Sequence, residues 1–366
     1  MVITIAEKKV GPGEACFIIA EAGVNHNGDI NLAKRLIAEA AKAEADAVKF
    51  QTFKAEQVTT KHSPTAAYQK KNVGEDNQWA LLRPLELGEY AYPELIAECQ
   101  KNKILFMSTP HGHIASAEFL KNKVNVWKVG SGDLTNLPFL KHLGESGKPI
   151  ILSTGMATIA EIKEAVATIE TTGNKQLIIL QCTTNYPCPD EEANVAAMND
   201  IQNHFPDYPV GFSDHTLGID ACILAAAMGA TVLEKHFTLD RKMPGPDQQN
   251  SLEPNELKQL VDQVRKIQHM TKEEKQTLID QMPRAKTLLG SDKKAPLTSE
   301  LVIAEMARKA VIAATDIPAG ATITAEMLTI KRPAKDGLPP KMLSEIIGKT
   351  AKRNIEADTQ LKPEDY

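Results

Sequence analysis

The sequence predicts an α/β protein in which a (β/α)8 (TIM) barrel is followed by a small second domain. Short apolar strands alternate with amphipathic helices through residues 1–270. The strands are apolar on both faces, which is typical of a parallel sheet that helices cover on both sides. There are eight such units, and eight units close most simply into a barrel.

The eight predicted strands follow one another at regular intervals. In chain order they read "CFIIAEAG", "AVKFQTF", "ILFMSTP", "VNVWKVGSGD", "PIILSTGM", "QLIILQCTT", "PVGFSDHT" and "TVLEKHFT". Helical stretches such as "NLAKRLIAEAAKAEA" and "TIAEIKEAVATIETTG" lie between them. A doubly wound open sheet is the alternative, but it is favoured by a GxGxxG loop after the first strand, and "EAGVNHNGD" lacks that pattern.

The end of the chain differs from the barrel pattern. Residues 271–305 are charged and helical with few strong apolar stripes, which predicts a linker. Residues 306–366 contain short strands, Gly and Pro turns and one-turn helices. A core of about 60 residues is close to the lower limit for independent stability, so we expect this small domain to dock on another part of the protein.

Composition excludes several classes of protein. The chain has a formal net charge of -5 and a pI of about 6.0, so no general basic field favours nucleic acid. No apolar run approaches the ~20 residues that cross a bilayer, and no signal peptide is recognisable. The 5 cysteines form no CxxC pair, which predicts reduced thiols in a cytoplasmic protein.

Polar residues stand at the carboxyl end of every predicted strand. In a (β/α)8 barrel these ends surround one site, so we expect a ring of polar groups around a pocket. The ring comprises Glu21, Asn25, Lys49, Gln51, Ser108, Thr109, Lys128, Ser131, Asp133, Ser153, Thr154, Thr184, Tyr186, Ser213, Asp214, His215, Glu234, Lys235 and His236.

Two histidines in this ring predict a metal site. His215 and His236 end the seventh and eighth strands, so they should be neighbours. Two imidazoles alone form an open site, in which water or substrate completes the coordination. Such a site suits a Lewis acid better than a structural ion. The alternative is that each histidine is only a capped or solvent-facing strand end.

Two lysines predict an anionic ligand. Lys49 in "AVKFQ" and Lys128 in "VWKVGSG" cannot easily extend to solvent. The stretches "KVGSGD" and "ILSTG" add hydroxyl groups and glycines that can bring backbone N–H groups close to phosphate oxygens. We interpret "HGH" at 111–113 as a polar loop rather than a metal clasp, and Cys182 and Cys188 as ordinary thiols.

Together these motifs resemble the sialic acid synthase family. The resemblance is carried by "FIIAEAGVNHNGD", "VKFQTF", "WKVGSGDLTNLP", "ILSTGM", "CTTNYPCP", "GFSDHTLG", "EKHFT" and "PGPD". It implies an enzyme that condenses phosphoenolpyruvate with an N-acetylated amino sugar to a nine-carbon 2-keto acid. The sugar would be N-acetylmannosamine or 2,4-diacetamido-2,4,6-trideoxymannose, and the products N-acetylneuraminate or N,N'-diacetyllegionaminate. The sequence leaves this choice open.

The resemblance also implies roles for individual residues. His215 and His236 would hold a divalent ion, usually Mn²⁺, with Mg²⁺ or Co²⁺ as alternatives, and Glu21 would orient water near the reacting carbons. The phosphoenolpyruvate site would comprise Lys49, Gln51, Thr109, Lys128, Ser131, Ser153 and Ser213, with Asp133 and Thr184 as departures from the usual residues. Tyr186, Asp247 and Arg332 would contact the sugar. His111 also departs from the family pattern.

The small domain resembles the antifreeze-like (β-clip type) domain that ends the family's chains. Its "KRPAKDG" and "KTAKRN" are too charged for an ice-binding face and favour a substrate cap. Because the family's cap covers the barrel of a partner subunit, the resemblance implies a domain-swapped homodimer.

Two rival functions are considered. An octulosonate-type synthase would use a phosphorylated sugar, but Asp247 of "PGPD" would repel a phosphate. A non-catalytic saccharide-binding protein would need neither two rim histidines nor two lysines in buried strands.

Overall fold

The computed structural model describes the backbone of residues 1–366 and all side chains except those of residues 67 and 68. The strands are β1 (Ile3–Ile5), β2 (Lys8–Val10), β3 (Phe17–Gly23), β4 (Ala47–Gln51), β5 (Leu105–Thr109), β6 (Trp127–Val129), β7 (Ile150–Ser153), β8 (Leu177–Cys182), β9 (Val210–Asp214), β10 (Val232–His236), β11 (Ala310–Ala313) and β12 (Leu328–Lys331).

The helices lie mainly between the strands. They are α1 (Ile30–Lys42), α2 (Ala55–Val58), α3 (Ala67–Val73), α4 (Gln78–Leu82), α5 (Ala91–Lys101), α6 (Ile114–Leu120), α7 (Leu137–Glu145), α8 (Ile159–Glu170), α9 (Ala197–His204), α10 (Asp220–Ala227), α11 (Pro254–Ile267), α12 (Lys272–Gln281), α13 (Ala285–Leu289), α14 (Thr298–Ala307) and α15 (Leu343–Ile346). No helix that the structure describes is both long and apolar enough to cross a membrane.

Strands β3 to β10 form the predicted barrel. Consecutive strands pair in parallel from β3 to β5 and from β6 to β10, and β10 pairs in parallel with β3. β5 and β6 lie side by side without a strand pairing, which completes the ring. All eight predicted strands are therefore confirmed. Helix α1 illustrates why the intervening segments are helical. Its buried Ala33, Leu36, Ile37 and Ala40 recur on one face, and the Asp29 side chain caps its first turn.

A hairpin that the sequence did not reveal closes the amino-terminal end of the barrel. Strands β1 and β2 pair antiparallel. Ile3, Ile5 and Val10 of this hairpin pack with inward-facing strand residues such as Ile19 and Ile151. Burial of each aliphatic side chain contributes about 1.5–3 kcal/mol. The side chains of Ile3, Ile5 and Val10 therefore fill the amino-terminal end of the barrel interior, and the polar groups lie at the other end.

The segment predicted as a linker is packed against the barrel. Helices α12 and α13 lie on α10, whose side chains are buried all round. Helix α14 lies at the carboxyl end of the barrel, where Glu300 is 1% exposed. Residues 271–305 therefore contribute to both the outer helical layer and the mouth of the barrel.

The small domain has its own core and docks on the barrel as expected. Strands β11 and β12 pair antiparallel, and Val311, Ile323 and Ile355 belong to one buried cluster. The amide of Arg332 donates to Val58 O at 2.8 Å, and the amide of Thr60 donates to Arg332 O at 3.0 Å. Within one chain, the cap thus covers its own barrel.

Candidate active site

One pocket at the carboxyl ends of the strands is lined by every residue to which the resemblance assigns a catalytic, metal-binding or substrate-binding role. Strand register sets its floor, because Glu21 lies opposite both Lys49 and His236 in the sheet. The lining includes Glu21, Lys49, Gln51, Thr109, Lys128, Ser131, Asp133, Ser153, Thr184, Tyr186, Ser213, His215, His236, Asp247 and Arg332. Residues from eight strands, the strand-ending loops and the cap therefore meet in one place.

Part of the polar ring predicted from the sequence lies outside this pocket. Asn25, Ser108, Thr154, Asp214 and Lys235 face elsewhere: Lys235 donates to Asp214 Oδ2 at 2.6 Å, for example. Successive side chains of a strand point to opposite faces, so Glu234 and His236 enter the barrel and Lys235 does not. The expectation that every polar strand end faces one pocket was wrong for these residues.

A buried network of charges forms the floor of the pocket. Lys49 Nζ lies 2.7 Å from Glu21 Oε2 and 3.7 Å from Glu234 Oε2, and Lys128 Nζ lies 3.2 Å from Glu234 Oε1. Burial opposes the ionised form of Glu234, but Lys128 and Lys49 outweigh it and lower its pKa to about 2. Glu234 therefore bridges the two lysines as a carboxylate, a role that the sequence did not indicate.

The same network perturbs Glu21. Burial raises the pKa of Glu21, although Lys49 opposes the shift. Gln51 Nε2 donates to Glu21 Oε1 at 3.1 Å, which fixes the carboxyl group against β4. A buried carboxyl group with a raised pKa, held in one orientation, can exchange a proton with a bound water.

Hydroxyl groups surround Lys128. Its Nζ donates to Ser153 Oγ at 2.9 Å, and the amide of Gly155 donates to Ser131 Oγ at 3.0 Å. A Cβ at Gly155 would lie 2.0 Å from Thr184 Oγ1 and 2.7 Å from Ser131 Oγ, so only glycine permits this approach. We call Ser131, Ser153, Gly155 and Thr184 the hydroxyl cradle. Together with Lys128 it fits an anion with several oxygen atoms.

The two predicted metal ligands are adjacent. The His215 and His236 rings are 5.4 Å apart. His215 Nδ1 lies 2.8 Å from Thr183 O, so Nδ1 is the donor to this carbonyl and the neutral ring has its lone pair on Nε2. His236 Nδ1 is buried with no hydrogen-bond partner in the described part of the chain. Burial lowers the pKa of His236 well below its ordinary value, which favours the neutral ligand form.

These imidazoles fit the divalent ion that the sequence predicts. Among the described side chains, no group of three or more His, Cys, Asp or Glu could hold a metal. A cation bound by His215 and His236 would thus keep open positions for water or substrate, as a Lewis acid requires.

Three predicted sugar contacts line the same pocket as the imidazoles. The Tyr186 ring is 4.2 Å from that of His215 and meets the His236 ring edge-on at 5.9 Å. Asp247 Oδ1 is buried and makes no hydrogen bond to a described group. Burial, followed by the charge of Glu21, raises the pKa of Asp247 to about 6. Arg332 of the cap closes the pocket from above.

The structure also places His111 and Cys182, to which the sequence analysis gave no role in the site, and adds Lys309 and residues of α14, which it did not single out. His111 Nε2 lies 3.0 Å from Gln51 Oε1, whereas His113 caps α6 by accepting from the Ala115 amide, so "HGH" is a polar loop. Buried Lys309 donates to His111 O at 2.9 Å. Cys182 lines the pocket, 3.6 Å from Ser131 Oγ. Ile303, Met306 and Ala307 of α14 also line the pocket, and their spacing of three and four residues was the signal that one face of this helix covers a site.

Comparison with known proteins agrees with this architecture. Residues 36–276 match the NeuB family model and residues 308–366 match the SAF domain. The N,N'-diacetyllegionaminic acid synthase of Legionella pneumophila is 40% identical over 97% of this chain and 95% of its own. The N-acetylneuraminate-9-phosphate synthase of Mus musculus is 36% identical over 97% of this chain and 94% of its own.

A solved structure gives the same result. The spore coat polysaccharide biosynthesis protein spsE of Bacillus subtilis superimposes with a TM-score of 0.84 at 33% identity and covers 100% of this chain and 99% of its own. The predicted resemblance to sialic acid synthases is confirmed. The chain is an enzyme that belongs to the NeuB family and ends in a SAF domain.

Proposed function

We propose that the protein is a nonulosonic acid synthase that condenses phosphoenolpyruvate with an unphosphorylated, N-acetylated amino sugar. The observation that carries the proposal is the position of two buried lysines and the hydroxyl cradle next to two imidazoles with free ligand atoms. The names of relatives support a nonulosonic acid synthase, since they include legionaminic, pseudaminic and N-acetylneuraminate-9-phosphate synthases. The first two names describe unphosphorylated products and the third a phosphorylated one, so the choice of an unphosphorylated sugar is argued below from the pocket.

Phosphoenolpyruvate would bind across the two lysines. Lys128 and the hydroxyl cradle suit the phosphate, because several donors converge there on one volume. Lys49, whose Nζ donates to Thr109 Oγ1 at 3.1 Å, suits the carboxylate. The enol double bond would then lie above Glu21, between these two anchors.

The reaction forms one carbon–carbon bond and breaks one carbon–oxygen bond. C3 of phosphoenolpyruvate attacks the aldehyde carbon of the sugar, and the aldehyde oxygen takes up a proton. Water adds to C2 and passes one proton to Glu21, which replaces the proton that the aldehyde oxygen has taken up. The C2 hydroxyl group then gives its remaining proton to the departing phosphate as the bond from C2 to the phosphate oxygen breaks, which leaves a 2-keto acid and inorganic phosphate. A divalent ion on His215 and His236, Mn²⁺ by the sequence prediction, would supply Lewis-acid stabilisation of the aldehyde oxygen.

The charge of the pocket favours a neutral sugar. The acidic residues of the described lining are Glu21, Asp133, Glu234 and Asp247, and the cationic ones are Lys49, Lys128 and Arg332. Phosphoenolpyruvate itself brings a phosphate and a carboxylate to these cations. A second phosphate on the sugar would find no surplus of positive charge.

The wall of the pocket favours an apolar sugar. It contains Val24, Ala66, Leu81, Leu82, Leu85, Ile303 and Met306. The 6-methyl group and two acetamido methyl groups of 2,4-diacetamido-2,4,6-trideoxymannose can be buried there. The 6-hydroxyl group of N-acetylmannosamine would lose its hydrogen bonds to water and find no hydrogen-bond partner on this apolar wall. We therefore propose the diacetamido sugar as the preferred substrate.

A panel of sugars tests this proposal. With phosphoenolpyruvate and Mn²⁺, phosphate release should have a kcat/KM at least ~10-fold higher for the diacetamido sugar than for N-acetylmannosamine, the effect expected of an apolar pocket for one or two methyl groups. N-Acetylmannosamine 6-phosphate should be the poorest. A preference for the phosphorylated sugar would contradict the charge argument. If no sugar of the panel causes phosphate release, a non-catalytic saccharide-binding protein would be favoured.

The domain-swapped homodimer stays a prediction. Arg332 lines the same pocket as His215 within one chain. In a swapped dimer, the equivalent pocket would combine the barrel of one chain with the cap of the other.

Mixing two defective variants distinguishes these arrangements. His215→Ala and Arg332→Ala proteins, refolded together, should recover about a quarter of wild-type activity if caps exchange, because random pairing makes half of the dimers mixed and each mixed dimer has one intact site of two. Activity should be measured against each variant refolded alone. Activity that stays at the mean of the two variants would mean that each cap serves its own barrel.

A further inference from the structure

A carboxylate from outside the barrel holds two of the loops that form the hydroxyl cradle. Glu300 of α14 is 1% exposed. Its Oε1 accepts from the amides of Met156 at 2.7 Å and Thr184 at 2.8 Å, and its Oε2 accepts from the amide of Leu297 at 3.0 Å. One side chain thus joins the end of β7, the end of β8 and the start of its own helix.

These amides belong to the loops that present the cradle. Met156 follows Gly155, whose amide donates to Ser131 Oγ. Thr184 places its Oγ1 in the cradle, where the atom is buried without a partner in the described part of the chain. A small displacement of either loop would therefore separate the groups that we assign to phosphate.

Met156 needs such support. Its φ of 63° lies in the left-handed region, which a residue with a branched or long side chain rarely adopts. Helix α14 and the residue that follows it hold Met156 at both of its backbone polar groups, because Glu300 accepts from its amide and Arg308 donates to its carbonyl at 2.8 Å. Arg308 is in turn paired with Glu161 at 2.7 Å.

The end of β8 is held in the same way. Lys294, also from the segment before the cap, donates to Cys182 O at 3.2 Å. Thr183 O accepts a hydrogen bond from His215 Nδ1. Glu300 accepts from the Thr184 amide. Cys182, Thr183 and Thr184, which lead into the pocket, therefore each have a backbone group in a hydrogen bond.

We propose that Glu300 is a positioning residue for phosphoenolpyruvate: it fixes the Met156 and Thr184 amides so that the hydroxyl cradle is formed before the substrate arrives. The proposal rests on the proposed function. It assigns to α14, a helix between the two domains, control of affinity for the phosphorylated substrate. Glu300 does not line the pocket and acts only through the loops.

The test compares substitutions at Glu300 with a matched control. Glu300→Ala removes every acceptor, Glu300→Asp keeps the charge but is one methylene too short to reach both amides, and Glu300→Gln keeps Oε1 as an acceptor. Glu305→Ala is the control, because this carboxylate of the same helix is exposed and pairs with Lys335 at the surface. Binding of phosphoenolpyruvate is measured by titration calorimetry, and KM is measured for both substrates in the intact protein.

We expect Glu300→Ala and Glu300→Asp to raise the Kd and the KM for phosphoenolpyruvate by ~10-fold or more, and to change the KM for the sugar by less than about threefold. Glu300→Gln should restore phosphoenolpyruvate binding to within about threefold of wild type, and Glu305→Ala should not differ from it. If Glu300→Ala does not fold, the comparison of Glu300→Asp with Glu300→Gln tests the proposal.

Equal losses for both substrates, or unchanged phosphoenolpyruvate binding in Glu300→Asp, would overturn the proposal. The proposal would also fail if Glu300→Gln bound phosphoenolpyruvate as weakly as Glu300→Ala. That result would show that the negative charge of Glu300 is needed, rather than its hydrogen bonds to the two amides. If the wild-type protein neither binds phosphoenolpyruvate nor releases phosphate with any amino sugar, the proposed function fails. If wild type does both and the variants match it, only the role of Glu300 fails.

Discussion

Replacement of His215 or His236 by alanine should lower kcat by about three orders of magnitude, the size expected when Lewis-acid stabilisation of several kcal/mol is lost. The bond of His215 Nδ1 to Thr183 O leaves Nε2 as its ligand atom, and His236 Nδ1 has no hydrogen-bond partner among the described groups. Both residues lie at the rim of the barrel rather than in the apolar core. The thermal midpoint should therefore change little. The measurement is phosphate release at saturating phosphoenolpyruvate and sugar, together with thermal unfolding followed by circular dichroism.

His269→Ala is the control for this experiment, because His269 is exposed and does not line the pocket. Wild-type protein treated with a chelator should lose activity and regain it when Mn²⁺ is added. A chelated, metal-free sample that works at the full rate would show that the two histidines have another role.

Replacement of Lys128 by alanine should raise the KM for phosphoenolpyruvate by about 100-fold and the KM for the sugar far less. Lys128 lies against Ser153 and Glu234, on the side of the pocket where the hydroxyl cradle is found. Its removal deletes a phosphate contact and leaves the charge of Glu234 opposed by Lys49 alone. Initial rates with each substrate varied in turn separate the two KM values.

Lys163→Ala is a suitable control for the loss of one positive charge, since Lys163 lies on the outer surface of α8. Glu234 should be left intact in this experiment, because its removal would take away the carboxylate that pairs with buried Lys128 and would leave Lys49 with Glu21 alone. An equal rise in both KM values would show that Lys128 supports the whole floor of the pocket rather than the phosphate site.

Much of the site followed from local pattern in the sequence. His215 and His236 could be predicted as neighbours because parallel strands of a barrel align their carboxyl ends. Lys49 and Lys128 could be assigned to an anion because an apolar strand that contains a lysine has no route to solvent for it. These arguments need only the periodicity of a strand and the order of strands along the chain.

Other features were decided by the tertiary structure. The hairpin of β1 and β2 has three residues in each strand, which is too short for a periodic signal, and only the apolar interior of the barrel explains its position. Glu234 was visible in the sequence as a polar strand residue. Its place between two lysines depends on distances across the barrel that no pattern encodes.

The contrast is sharpest for the segment before the cap. Its charged, helical composition determined that residues 271–305 would form helices with little core of their own. Glu300, however, bonds to amides that are 144 and 116 positions away in the chain. Backbone amides have no sequence signature. Only the folded chain, which brings the ends of β7 and β8 next to α14, makes Glu300 a buried hydrogen-bond acceptor for the Met156 and Thr184 amides.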